Sequence, residues 1–413
     1  MVASTGSSLG LYISIPFCRS KCTYCNFASG VYPASEHARY VDRLIEDLIA
    51  SRAWAARVGI ELPRRVDTVY LGGGTPTLLA PELLARLFSA MRAEFDLDPD
   101  AEITVECAPG QLADQTLDAL NNTGVNRVSL GVQSFIDREA QQSGRLHSRA
   151  VVLDDIKRLR EADISNLNVD LIAGLAGQTL ASWEESLALL AETGVPHASV
   201  YMLEVDEDSR LGREVLAHGA RYHADLVPSD DTIAQMYSVA IEKLKQAGLE
   251  QYEISNFCRP AMASRHNLRY WHRQPYLGVG LDASSMLLAS ETAAPGLVLR
   301  STTTDDLKAY LAGAEPVETA WLAPAQQHEE AWFLGLRLNA GVEVAALELE
   351  FGHARVTPAL ETVRRLADAG LVSSQECKTI CLTPQGRLLS NNVFQEFLGL
   401  ETEKGAVSSE SQA

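Results

Sequence analysis

The sequence predicts an α/β protein, an open, partial (β/α)6 barrel followed by a small winged-helix-like α+β domain. Two observations carry this prediction. Up to about Glu250, six short runs rich in β-branched residues alternate with amphipathic segments, which favours parallel strands joined by right-handed crossovers. Beyond that residue the alternation stops, and helical segments precede a strand and a turn. Because a closed barrel needs eight units, six predict a sheet that stays open and curved.

The six predicted strands are short apolar runs that end at turns or at polar residues. They cover Leu11–Ile15, Val66–Leu71, Ile103–Cys107, Val128–Val132, Leu167–Ile172 and Ala198–Leu203. Helices are predicted between them, and the clearest covers Glu36–Val58, where apolar residues recur at helical spacing. Several strands are apolar on both faces, as a sheet covered on both sides requires.

Four parts are predicted along the chain. Residues 1–10 form a flexible N-terminus, residues 11–290 the barrel with a hairpin and loop extension, residues 291–400 the winged-helix-like domain, and residues 401–413 a disordered tail. The tail is polar and rich in Ser and Glu, a composition that cannot bury enough apolar surface to order itself.

Composition limits the possible functions. The 413 residues carry a net charge of −19, which disfavours a nucleic-acid partner because phosphate backbones are repelled. No apolar run approaches the roughly 18 to 20 residues of a membrane-spanning helix, and the N-terminus lacks the pattern of a secretory signal. We therefore expect a cytoplasmic protein. In that compartment the clustered cysteines indicate metal or redox chemistry rather than disulfides.

Three of the seven cysteines follow the first predicted strand directly. Cys18, Cys22 and Cys25 have the spacing Cys-x3-Cys-x2-Cys. Three thiolates on one loop can ligate three irons of a [4Fe–4S] cluster and leave the fourth iron open to a chelating molecule. The amine and carboxylate of S-adenosylmethionine (SAM) suit such an iron. The alternatives are a zinc site that lacks one of its usual four ligands and chance clustering.

Glycines and polar residues mark the ends of the later strands, where ligands of parallel α/β sheets bind. They are Gly74, Thr75 and Pro76 after the second strand, Glu106 at the third, Gln133 at the fourth with Arg145 beyond it, and Asp170 within the fifth. Asp170 interrupts an apolar strand, so we expect it to have a partner or a ligand. Taken singly, each residue fits a structural role as well as a functional one.

These motifs resemble the radical SAM superfamily, and the surrounding residues resemble the subfamily of oxygen-independent coproporphyrinogen III oxidase and the heme chaperone HemW. The resemblance extends from about Leu11 to Leu398 and implies a [4Fe–4S] cluster on the three cysteines. It also implies that Tyr12, Gly74 and Glu106 surround the cluster-bound SAM. The positions that match a second SAM site of the oxidase are Tyr24, Thr75, Pro76, Gln133, Arg145 and Asp170.

Two features favour the HemW type over the oxidase. The oxidase has a fourth Cys two residues after the third, where this chain has Phe27. The segment from His266 to Trp271 fits the His-Asn-x-x-Tyr-Trp motif of HemW-type proteins. The resemblance implies that its His266, Asn267, Tyr270 and Trp271 serve heme binding. Residue chemistry alone instead favours a histidine that satisfies backbone groups while the aromatic rings pack in the core, and it is the resemblance that favours heme binding.

The resemblance thus predicts a heme chaperone that carries heme as cargo to an acceptor protein. It leaves open a membrane-associated acceptor, a peripheral membrane contact and a homodimer. Two alternatives remain: the oxidase itself, which removes carbon dioxide from propionate side chains, and a radical SAM enzyme with another substrate.

Overall fold

The computed structural model describes residues 8–290, 292–314, 316, 318–375 and 378–400. Most of the predicted flexible N-terminus, residues 1–7, and the predicted tail at residues 401–413 lie outside the described residues.

In the described part of the chain, six parallel strands form the centre of one sheet and follow each other in sequence order. They are β1 (Leu9–Ile15), β2 (Arg65–Gly73), β3 (Asp96–Cys107), β4 (Arg127–Gln133), β5 (Asn166–Ala173) and β6 (His197–Met202). Each neighbouring pair is parallel, which confirms the predicted β–α units. Leu9 and Gly10 belong to β1, so the sheet begins within the segment predicted to be flexible.

Helices cover the sheet and bury their apolar stripes against it. They are α1 (Ala34–Arg57), α2 (Pro81–Glu94), α3 (Asp114–Asn122), α4 (Asp137–Gln142), α5 (Arg149–Glu161), α6 (Leu180–Thr193), α7 (Arg210–Leu216) and α8 (Asp230–Gln246), with 3-10 turns at Pro76–Leu78 and Arg221–Leu226. In α1, for example, Tyr40, Leu44 and Leu48 are buried, as their helical spacing predicts. These side chains join those of the strands in one hydrophobic core.

Additional strands extend both edges of the sheet. Beside β6 lie β7 (Glu250–Gln251) and β8 (Asn256–Cys258), and beside β1 lie β9 (Tyr276–Val279), β10 (Ser284–Leu288), β11 (Val298–Thr302) and β12 (Glu318–Leu322). Two short helices, α9 (Arg265–Trp271) and α10 (Leu307–Leu311), accompany them. The predicted domain boundary at residue 290 therefore falls inside this sheet. The small residues of 290–296, which suggested a linker, instead connect β10 to its antiparallel partner β11.

The C-terminal domain has its own core. Its elements are α11 (Pro324–Gly335), β13 (Val342–Glu343), α12 (Val344–Phe351), α13 (His353–Asp368), β14 (Val372–Gln375), β15 (Thr379–Leu382), α14 (Pro384–Leu388) and α15 (Ser390–Gln395). The described strands form an antiparallel sheet in the order β13-β15-β14 beside α11–α13, a winged-helix-like arrangement. Trp332, Val356 and Phe397 are fully buried at its centre.

Main-chain hydrogen bonds fix this domain to the barrel. The Ile254 amide donates to the Arg337 carbonyl at 3.1 Å, and the Asn339 amide donates to the Tyr252 carbonyl at 3.0 Å. Farther out, Arg273 forms a bidentate ion pair with Glu350, with distances of 2.9 and 2.7 Å from Nη2 to the two carboxylate oxygens. The side chains of this pair are only 15% and 17% exposed, so solvent screens them weakly.

We expect Arg273→Gln and Glu350→Gln each to lower the free energy of unfolding by about 1–2 kcal/mol, because each leaves a charged partner without its hydrogen bonds. Urea titrations of both variants and of the double variant measure this. The double variant should lose less than the sum of the two single losses. Strictly additive losses would show that the pair does not couple barrel and domain.

Candidate functional site

The carboxyl ends of the central strands open into one cavity of about 560 Å³. This volume lies within the usual range of small-molecule sites. The predicted residues that line it are Cys18, Cys22, Tyr24, Cys25, Gly74, Thr75, Glu106, Gln133, Arg145 and Asp170. Residues that are far apart in sequence thus meet at one edge of the sheet, as the parallel strand order requires. Among the predicted SAM-site residues, Tyr12 and Pro76 do not line the cavity.

The cysteine loop is held at the end of β1 by backbone hydrogen bonds. The Cys18 amide donates to the Gly30 carbonyl at 2.9 Å, and the Thr23 amide donates to the Ser143 carbonyl at 3.0 Å. The sulfur of Cys22 accepts a hydrogen bond from Arg145 Nη1 at 3.6 Å, and Cys25 Sγ lies 3.8 Å from the Ser29 hydroxyl. The loop therefore presents its thiols to the cavity from a fixed backbone.

The three thiols line the cavity, and their sequence spacing is the basis for the expected [4Fe–4S] cluster. Among the described residues, no three His, Cys, Asp or Glu side chains converge closely enough to hold one metal ion. A [4Fe–4S] cluster binds each thiolate at a different corner, so its ligands stand farther apart. Cys107 also lines the cavity, but its Sγ donates to the Ala108 carbonyl at 3.3 Å and burial raises its pKa to about 12. It stays a protonated thiol, which is a poor metal ligand.

The glycines after β2 bring the backbone close to the cysteine loop. The Gly74 amide donates to the Ile15 carbonyl at 2.9 Å, and the Thr75 amide donates to the Phe17 carbonyl at 2.8 Å. A Cβ on Gly74 would lie 2.7 Å and 2.8 Å from those same two carbonyl oxygens. Only glycine fits here without a backbone shift. Pro76 begins the following 3-10 turn and is buried away from the cavity.

Glu106 is held in the cavity wall by two donors. The Tyr70 hydroxyl donates to Oε1 at 2.9 Å, and the Gly73 amide donates to Oε2 at 3.1 Å. Burial, followed by the negative charge of Asp170, raises the pKa of Glu106 to about 7 despite these donors. The carboxyl group is therefore poised between its two protonation states near neutral pH.

Tyr70 was not predicted as a site residue. Its ring stacks between those of Tyr12 and His266, with centroid distances of 6.2 and 5.3 Å. The two-residue period of β2 places it on the same face as Thr68 and Gly72, and this alternation was the available sequence signal. Tyr12 lies behind the cavity wall, where it stacks on Tyr70 and its hydroxyl lies close to Gly73. Tyr70 thus connects the carboxylate of the cavity to the interior of the barrel.

Polar groups without protein partners cluster on the opposite wall. Within the described residues, Gln133 Oε1 and Arg145 Nε are buried and make no hydrogen bond. Gln133 also has a left-handed backbone with φ of 69°, which turns the chain at the end of β4. Such groups are costly unless a ligand or water satisfies them. They are suited to the carboxylate and hydroxyl groups of a polar small molecule.

The partner expected for Asp170 is present. Its Oδ2 accepts from the Ser129 hydroxyl at 3.0 Å, and its Oδ1 accepts from the Asn168 amide group at 2.7 Å. Burial nevertheless raises the pKa of Asp170. Two carboxyl groups with raised pKa values, Glu106 and Asp170, therefore face one cavity, an arrangement typical of functional sites.

The predicted heme motif lies inside the barrel rather than on its surface. His266 is 1% exposed, and both ring nitrogens are hydrogen-bonded, Nδ1 to the Thr68 hydroxyl at 3.0 Å and Nε2 to the Tyr270 hydroxyl at 2.8 Å. Burial, followed by the charges of Arg269 and Arg127, lowers the pKa of His266 to about 3. The ring is neutral, and both of its nitrogens are hydrogen-bonded within the protein. This placement favours the structural interpretation of His266 that the sequence left open.

The other motif residues surround this ring. Asn267 is half-buried, and its amide donates to the Ser264 hydroxyl at 3.3 Å at the start of α9. Tyr270 packs edge-on against Tyr276, at 4.6 Å between centroids. Trp271 points toward the C-terminal domain, where it contacts Arg337. Arg337 lines the cavity from the C-terminal domain, so Trp271 connects the motif to the cavity wall.

The family models agree with this architecture. The model described as the radical SAM superfamily matches residues 12–190, and the model described as the HemN C-terminal domain matches residues 322–389. The solved structure of coproporphyrinogen III oxidase (HemN) from Escherichia coli covers 95% of this chain and 90% of its own, with a TM-score of 0.79 at 24% identity. The chain thus has the radical SAM fold with an additional C-terminal domain.

The sequence relatives identify the family more narrowly. Heme chaperone HemW of Lactococcus lactis is 32% identical and covers 94% of this chain and 96% of its own length. Heme chaperone HemW of Bacillus subtilis is 34% identical and covers 94% and 98%. The chain belongs to the HemW family of the radical SAM superfamily. Membership of the radical SAM superfamily implies a [4Fe–4S] cluster and SAM as cofactors.

Glu106→Gln should stabilise the SAM-free protein at alkaline pH. The folded state holds the Glu106 proton up to about pH 7, against an ordinary pKa of 4.5. Stability is therefore lost as pH rises from about 4.5 through 7, where the folded state must bury a charge. Gln avoids that cost, so the gain should approach about 3 kcal/mol above pH 7 and vanish below 4.5. Thermal unfolding from pH 5 to 8 checks this, and a pH-independent difference would contradict it.

Gly74→Ala should displace the cysteine loop, since the new Cβ meets two backbone carbonyls. We expect a loss of stability of about 1–3 kcal/mol and lowered iron and sulfide content after anaerobic reconstitution. Gly248→Ala is the control for iron content, because its Cβ would meet no heavy atom within 4 Å. Its left-handed backbone, with φ of 80°, makes this substitution cost about 1 kcal/mol of stability far from the cysteine loop. Equal iron content in both variants would show that the close approach at Gly74 does not position the thiols.

Proposed function

We propose that this protein is a heme chaperone that binds heme and passes it to an acceptor protein. The observation that carries the proposal is the similarity to relatives named heme chaperone HemW along 94% of the chain. Phe27 supports it, because this residue stands where the oxidase resemblance requires a fourth Cys. Its side chain is 62% exposed at the cavity.

We further propose that Cys18, Cys22 and Cys25 hold a [4Fe–4S] cluster with SAM beside it. When bound, the reduced cluster supplies the electron for reductive cleavage of SAM. Glu106 would accept a hydrogen bond from the SAM ammonium group, and its pKa of about 7 suits a carboxylate that becomes fully charged on meeting a cation. Tyr12 would act through the Tyr70 stack.

The remaining predicted SAM residues form the polar wall of the same cavity. We propose that Arg145 and Gln133, which carry partnerless buried atoms, orient carboxylate or hydroxyl groups of SAM. Tyr24, Thr75 and Asp170 complete this wall, with Pro76 supporting it from behind. Equilibrium dialysis can measure whether one or two SAM molecules bind to each protein molecule.

Heme would bind at the mouth of the cavity. Four exposed apolar side chains occur there or at neighbouring strand ends, and they are Phe27, Leu146, Tyr201 and Leu389, with exposures from 42% to 69%. Exposed apolar groups around a cavity suit a large planar ligand. Because His266 is buried with both nitrogens bonded, we propose that the His-Asn-x-x-Tyr-Trp motif supports heme binding from beneath the cavity.

The proposal extends to the cellular setting. We propose a cytoplasmic chaperone whose acceptor is a heme protein, with a membrane-associated acceptor, a peripheral membrane contact and a homodimer as the further expectations. Among the helices of the described residues, none has the length and apolarity of a membrane span.

One experiment separates the chaperone from the oxidase. The cluster is reconstituted anaerobically, and hemin is added to one sample and coproporphyrinogen III with SAM and reductant to another. We expect a stable hemin absorption spectrum and unchanged coproporphyrinogen. Decarboxylated porphyrin in the second sample would contradict the proposal. Cys22→Ser, which removes one thiol, should lose the cluster and separate its contribution from that of heme.

A further inference from the structure

The C-terminal domain lines part of the same cavity, and this part is called its second lobe. Tyr237 and Ile254 line it from the barrel side, and Arg337 and the segment 388–392 line it from the domain. None of these residues belongs to the predicted cluster or SAM site. The backbone hydrogen bond between Ile254 and Arg337 holds the domain here, so the position of this part of the cavity wall is fixed by the fold.

Arg337 is the feature of this lobe that points to a ligand. Its side chain makes no hydrogen bond or close ion pair with the described residues, and its Nε is buried without a partner. Burial raises the pKa of the Glu253 carboxyl group, and the charge of Arg337 partly offsets this rise. Glu253 Oε1 accepts from the Ser255 amide at 3.0 Å, whereas its Oε2 forms no hydrogen bond with the described residues. The guanidinium group is thus a cation in the cavity wall whose N–H groups form no hydrogen bond with the described residues.

An aromatic face holds this guanidinium group in place. Its central carbon lies 4.3 Å from the centroid of Trp271 and 5.9 Å from that of Phe394. Such stacking orients the planar donor fork without using its N–H groups. The indole Nε1 of Trp271 has no partner among the described residues, so the face of the ring is what this residue contributes.

The position of Trp271 is in turn fixed inside the barrel. It ends α9, and the Glu102 carboxylate accepts from the Arg265 and His266 amides at the start of that helix, each at 3.0 Å. His266 anchors the same helix to Thr68 of β2. The motif therefore connects the barrel interior to one side chain of the second lobe.

The chemistry of the lobe defines its ligand class. An oriented guanidinium group recognises carboxylates through two parallel hydrogen bonds. The apolar side chains beside it, Ile254 and Leu389 among them, suit the body of the same molecule. We propose that Arg337 anchors a carboxylate of an amphipathic planar ligand, a propionate of heme, and that Trp271 is the positioning residue for Arg337. This inference rests on the proposed heme-binding function.

Hemin and its dimethyl ester test the carboxylate contact. Both are titrated by absorbance into the reconstituted wild-type protein, Arg337→Gln and the control Arg364→Gln, which changes an exposed arginine of α13. Wild-type and control protein should bind hemin at least about tenfold more tightly than the ester. Arg337→Gln should lose that preference while its affinity for the ester and for SAM stays unchanged.

Two variants of Trp271 test the positioning role. Trp271→Phe keeps an aromatic face and should bind hemin within about threefold of wild type, whereas Trp271→Leu should lose about five- to tenfold. In the Arg337→Gln background Trp271→Leu should have no further effect on hemin, because the two residues act through one contact. A separate, additive loss would overturn the positioning role.

The outcomes distinguish the two proposals. If the wild type binds hemin but Arg337→Gln keeps the preference over the ester, the anchor is wrong and the chaperone proposal stands. If Arg337→Gln weakens hemin and ester equally, Arg337 is structural and the inference fails. If the wild type binds neither ligand, the proposed function fails, and the inference about Arg337 fails too.

Discussion

The inner face of the curved sheet is polar, and its need for hydrogen-bond partners organises the rest of the molecule. His197 of β6 bonds to Asn168 of β5 at 2.6 Å and to the Tyr252 hydroxyl at 3.0 Å. Glu102 of β3 accepts from the first amides of α9. Unpaired polar groups would be costly in such an interior. The segment from Tyr252 to Trp271 supplies the partners and thereby fills the barrel beneath the cavity.

The segment that fills the barrel affects the cavity above it and the C-terminal domain beside it. Above, His266 stacks on Tyr70, whose hydroxyl donates to Glu106 in the cavity wall. Beside it, the Tyr252 carbonyl receives the Asn339 amide and so helps seat the C-terminal domain. The same segment therefore positions both walls of the cavity. A motif associated with heme acts here first as a structural element that reaches the ligand space through Trp271.

The site itself is built at a cost to stability. Glu106 and Asp170 have raised pKa values because both lie in the cavity wall, and polar atoms of Gln133 and Arg145 are buried without partners among the described residues. In the proposed function, a cluster and SAM would satisfy these groups. Preorganised polar sites commonly trade stability for binding in this way.

The sequence by itself determined the six central strands, the cysteine loop and the residues at the strand ends. Local patterns suffice for these, because β-branched runs form strands and parallel strands bring their carboxyl ends to one edge. Tertiary structure alone decided the contacts of Tyr70, His266 and Arg337. Their contacts join β2, α9 and the C-terminal domain across 66 to 196 residues, and no local pattern encodes which distant side chains share an interior. The three cysteines predicted the cofactor, whereas the packing of the barrel interior decided which distant side chains surround the cavity.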